Sequence, residues 1–211
     1  MEAKVLLKEI RKDLEPLNKK ILNHPYILDA EKGVLPEEKI KAFVINQHYI
    51  ISGDARSLCL MLSRAKGPEE IEFFKTIAEG DIEALNQLLK MARALDVNLE
   101  DSLPIPEAVV YSHYLTALAQ FYSSGVQAMA LIANLPVWGS NCLRFSKALR
   151  EKYKISETSF LELFSAPTEE IEEKALSIVE YYLPPEETLM RMSAAFIQTY
   201  ELMFWDGIYR G

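Results

Sequence analysis

Apolar residues recur at three- and four-residue intervals along almost the whole chain, the spacing of one face of an α-helix. Leu6, Ile10, Leu14, Leu17 and Ile21 form the first stripe, and Pro16 within it predicts a kink. His24-Pro25 ends that helix, because a residue before proline avoids the α region, and Gly33 closes a short connector. Leu35-Pro36-Glu37-Glu38 then carries a helix start, with proline in the first turn and acids at the positive end of the dipole. The helix it opens runs to about Ala65, with Gly53 near its middle. Gly67-Pro68-Glu69-Glu70 repeats the signal and predicts a helix to about Ala94. A two-proline loop, Asp101 to Pro106, precedes two further helices over 107–122 and 125–147, the second interrupted by Pro136. Thr168-Glu169-Glu170 starts another helix, Leu183-Pro184-Pro185 ends it, and 186–207 forms the last. No alternating, strand-like stretch of useful length occurs. The pattern predicts an all-α, single-domain bundle over 1–211 with seven or eight helices.

One pair of helices differs from the others. A quarter of the sequence is charged, yet Ala108 to Leu143 holds no charge for 36 residues. The stretch still contains Tyr111, Ser112, His113, Tyr114, Gln127, Asn134, Trp138 and Asn141. Buried polar groups must find partners, so these side chains either complete the fold or line a pocket. A membrane hairpin is disfavoured, because Ser123-Ser124-Gly125 cuts the run into pieces shorter than the ~20 residues a spanning helix needs. The net charge of −8 and the lack of clustered Lys and Arg argue against a nucleic-acid partner. Cys59 and Cys142 have no metal-type spacing and are expected to be reduced thiols of a cytoplasmic protein.

Candidate chemistry is narrow. There is no phosphate-binding glycine loop, no G-x-S-x-G elbow and no C-x-x-C pair. None of His24, His48 and His113 has an acid three or four residues away, the spacing a di-metal bundle site requires, so neither metal nor cofactor is expected. Glu201 and Trp205 share a helix face, with Phe204 alongside. A glutamate desolvated there would have its pKa raised and could act as a general acid or base. Spacing alone leaves open whether Glu201 faces that pocket or water.

In order and spacing, several segments resemble the TenA/thiaminase II family of the haem-oxygenase-like superfamily. They are His24-Pro25-Tyr26 with Gly33-Val34-Leu35-Pro36, Gln47-His48-Tyr49, Tyr111-Ser112-His113-Tyr114-Leu115, Leu135-Pro136, and Glu201 with Phe204-Trp205-Asp206. The resemblance implies a pocket between core helices that holds an aminopyrimidine, with Glu201 and His48 as catalytic candidates. It places Tyr111, Ile51, Val137, Asn141 and Phe204 at the substrate. Val137 stands where the family has its nucleophilic cysteine, His48 where it has an aspartate, and Ile51 and Asn141 where it has tyrosines. These replacements imply a pocket less acidic at one end and a ligand less cationic than an aminomethylpyrimidine. They also leave two functional expectations, a cysteine-independent hydrolase or a binding or regulatory protein that has lost the chemistry. The implied partner is a small pyrimidine-like molecule, and the implied assembly a homo-tetramer.

Overall fold

In the computed structural model, which describes residues 2–211, Pro16 divides the first amphipathic run into α1 (Ala3–Asp13) and α2 (Glu15–Leu22). Proline has no N–H to donate back along the helix, so the axis breaks at Leu14. The predicted connector is itself a two-turn helix, α3 (Pro25–Lys32). Its N-cap is His24, whose Nδ1 accepts the Tyr26 N–H at 3.2 Å, and Gly33 closes it in the left-handed region at φ 75°. The two proline-acid starts open the long helices α4 (Glu37–Arg64) and α5 (Pro68–Ala94), which pack against each other. They are followed by α6 (Pro106–Phe121), α7 (Ser124–Lys152), the short α8 (Ser159–Phe164), α9 (Glu169–Tyr182) and α10 (Glu187–Arg210). The described residues therefore hold ten helices rather than seven or eight, and no strand. The difference comes from the Pro16 break and from α3 and α8, each too short to show a periodic stripe.

The uncharged stretch becomes α6 and the first two-thirds of α7. α7 is central, packed by α3, α8, α9 and α10, and residues 124–134 are all buried, so no face of it needs charge. Pro136 lies inside α7 and cannot bond the carbonyl of Ile132; Arg11 supplies the missing donor at 2.9 Å. Other polar groups of the stretch likewise finish helix ends. Gln127 donates to the Leu118 and Tyr122 carbonyls at the end of α6, and Asn141 donates to the Ile21 carbonyl at the end of α2. Where α7 meets α8, a Cβ on Gly139 would lie 2.5 Å from the Phe164 carbonyl oxygen, so only glycine permits the approach.

The apolar core forms two clusters. One gathers Tyr26, Phe43, Phe145, Phe160, Phe204 and Trp205; the other gathers Leu58, Phe73, Phe74, Leu115, Met129 and Ile197. Tyr111 packs against both. No helix of the described residues is long and apolar enough to cross a membrane.

Candidate functional site

A cavity of about 90 Å³ lies where the two clusters meet. One stripe of α4 forms a wall, with Gln47, Ile50, Ile51, Asp54 and Leu58. Their spacing of three and four residues keeps them on one helix face. Opposite it, α7 contributes Leu131, Asn134, Leu135 and Trp138, again one face. Tyr111 and Leu115 come from α6, Ile77 and Asp81 from α5, Phe164 from α8, and Glu201 and Phe204 from α10.

Glu201 is almost fully buried, and its carboxylate is held by three donors. Asn134 donates to Oε2 at 2.6 Å, Gln198 to the same oxygen at 3.3 Å, and the Trp205 indole to Oε1 at 3.2 Å. Burial raises its pKa and the three bonds oppose the rise, leaving it pushed up to about 7. A carboxyl balanced there exchanges a proton readily near neutral pH.

Two further acids form another part of the wall. Asp54 is buried, and its Oδ1 accepts the Ser112 hydroxyl at 2.6 Å. That bond depends on Gly53, since a Cβ there would meet the Ser112 oxygen at 2.6 Å. Burial first, then the neighbouring Asp81, pushes the Asp54 carboxyl well above the usual carboxylate range, and burial pushes Asp81 up to about 7. The Tyr111 phenol is raised by burial and then by Asp54, Asp81 and Glu201 in turn, so all three acids act on this one hydroxyl. Among the described residues, no Lys, Arg or His lines the cavity.

Of the residues expected at the site, Glu201, Tyr111, Ile51 and Phe204 lie in this wall, whereas His48, Val137 and Asn141 do not. The reason is helical phase. His48 is about 100° round α4 from Gln47, which takes the wall position, and its half-buried imidazole is lowered in pKa by burial. Val137 is displaced by the same angle from Trp138 and packs into the first core cluster. The Asn141 amide is turned to α2. Two carboxyls that the sequence reading did not place at the site, Asp54 and Asp81, also line the cavity. Both acids were visible as polar interruptions of apolar stripes, Asp54 between Ile51 and Leu58 and Asp81 between Ile77 and Leu88. No thiol reaches the wall: Cys59 is exposed, and Cys142 is fully buried, its pKa raised by burial and then by Glu201.

A sequence profile of the TENA/THI-4/PQQC family matches residues 11–211. No curated protein matches the sequence significantly. Among solved structures, the TenA homologue protein from P. horikoshii OT3 superposes with a TM-score of 0.79 at 21% identity, over 97% of this chain and 98% of that one. The TenA homologue from Pyrococcus furiosus gives 0.81 at 19% identity, over 97% and 100%. A candidate TenA-like thiaminase from Sulfolobus solfataricus P2 gives 0.74 at 18% identity, over 96% and 95%. These relatives share the all-α, haem-oxygenase-like fold.

Proposed function

The chain belongs to the TENA/THI-4/PQQC family, and on that premise we propose that it binds a small amine-bearing heterocycle of the aminopyrimidine class in thiamin-related metabolism. Glu201 is its general acid and base. The observation that carries this reading is a carboxyl buried in a cavity wall and fixed by three N–H donors, a setting whose burial pushes it up to about 7. Size narrows the ligand. An engineered apolar cavity of ~150 Å³ takes one benzene ring, so a space of about 90 Å³ suits a single-ring fragment after modest side-chain adjustment, not a two-ring molecule.

With no thiol at the wall, the reaction is hydrolysis by water. The Glu201 carboxylate takes a proton from water as its oxygen bonds to the exocyclic carbon. It returns that proton to the nitrogen whose bond to this carbon breaks, so the glutamate ends as it began. Asn134, Gln198 and Trp205 hold the carboxyl in place through both transfers. The absence of a wall thiol also favours a second reading, a binding protein that kept the cavity without the chemistry.

Purified protein is incubated with aminomethylpyrimidine, and separately with two-ring thiamin as the size control, and products are followed by mass spectrometry alongside thermal melts. Hydroxymethylpyrimidine released by the wild type and lost in Glu201→Gln supports the hydrolase. Stabilisation that grows with ligand concentration, without product, establishes the binding reading. Neither stabilisation nor product retires both for these compounds.

A further inference from the structure

The proposed function uses Glu201 and leaves the acidic α4–α5 side of the cavity unexplained. Asp54 and Asp81 come from different helices, both line the cavity, and Asp81 acts electrostatically on Asp54. Two carboxyls facing one space repel when both ionise, and no cationic side chain among the described residues lines that space. Beside them, Gln47 is 3% exposed, yet no protein group among the described residues hydrogen-bonds its amide. Asp81 likewise has no hydrogen-bond partner among them. Gln47 lines the cavity, so its amide is open to a bound group there.

We propose that Gln47, Asp54 and Asp81 form a subsite for a primary alkylammonium group, making the cavity selective for ligands with two basic nitrogens. The ammonium supplies three N–H donors. Two reach the carboxylates and one reaches the Gln47 amide oxygen, while its charge offsets the repulsion between the acids. The second nitrogen of the ligand lies towards Glu201, in the same cavity that Tyr111 also lines. This inference rests on the cavity reading above but needs no turnover.

The test is calorimetric binding of 1,4-diaminobutane, butylamine and 1-butanol to the wild type, Asp81→Asn, Gln47→Leu and Glu201→Gln. The wild type is expected to bind the diamine about tenfold or more tighter than butylamine, and butanol more weakly still. Asp81→Asn should cut the diamine's advantage to a few-fold or less, and Gln47→Leu should reduce it partially. Glu201→Gln should still bind butylamine through the remaining acids. Asp81→Asn removes a charge that acts on Asp54 without changing shape, so its melting temperature in the absence of amine should equal or exceed the wild type's. Should it melt lower, Gln47→Leu carries the test. A wild-type protein that binds none of the amines, or a diamine preference unchanged in both Asp81→Asn and Gln47→Leu, overturns the subsite. Failure of the proposed function is separate, shown by aminomethylpyrimidine giving neither product nor stabilisation while the amines still bind.

Discussion

Replacing Glu201 by glutamine tests whether this carboxyl is as desolvated as the geometry requires. Its pKa is moved from an ordinary 4.5 to about 7, so the folded protein favours the neutral acid. That contribution to stability is present below pH 4.5 and is lost as the pH rises through about 7. The full difference is about 3 kcal/mol, of which about 2.5 kcal/mol falls between pH 5 and pH 8. Glutamine has the same shape and no charge to titrate. Its amide faces the Asn134 and Gln198 side chains, which must turn to present oxygens, but that cost is the same at every pH. Asp54 and Asp81 remain in both proteins, and their titration cancels in the difference. Urea unfolding at pH 5 and pH 8 should therefore show Glu201→Gln gaining about 2–3 kcal/mol on the wild type as the pH rises. A gap that stays constant, or narrows with rising pH, would refute the desolvated, near-neutral carboxyl and with it the proposed acid-base role.

Three other outcomes follow from the same geometry. In a Cys59→Ser background, Leu135→Cys should be alkylated by iodoacetamide and protected by butylamine, while Val137→Cys reacts more slowly without protection; the reverse order, read by mass spectrometry, would move the α7 wall to the other phase. Gly139→Ala forces a methyl against the Phe164 carbonyl oxygen and should cost about 1–3 kcal/mol in urea unfolding, so an unchanged midpoint would contradict the close α7–α8 approach. His24→Ala removes the α3 N-cap and should cost about 1–2 kcal/mol at pH 8. Burial lowers the His24 pKa below its ordinary 6.5, so that contribution is present above 6.5 and fades as acid protonates Nδ1. A cost that grows towards pH 5 would show the imidazole acting as a cation on Asp206 instead.

The features settled by the sequence are those with a local cause. The proline-acid starts fix where α4 and α5 begin, because missing donors and a positive dipole end are properties of a single turn. The charge-free run marks the most buried helix, because charge cannot be desolvated cheaply at any point on its circumference. The motif resemblance named Glu201, Tyr111 and Phe204, and the fold brings all three to one cavity. Short elements such as α8 left no periodic trace, having too few turns to repeat.

Helix azimuth was decided only by packing. Gln47 and His48 are neighbours in an apolar helix, and no local property says which faces a cavity; the α4–α5 and α4–α6 contacts choose Gln47. The same rotation excludes Val137 and admits Trp138. The acids show this most clearly. Asp54, Asp81 and Glu201 come from three helices distant in sequence, and each alone could be a surface carboxylate. Only their desolvation around one shared space raises all three and gives the cavity its character, since electrostatic cost depends on what surrounds a charge rather than on what precedes it in the chain.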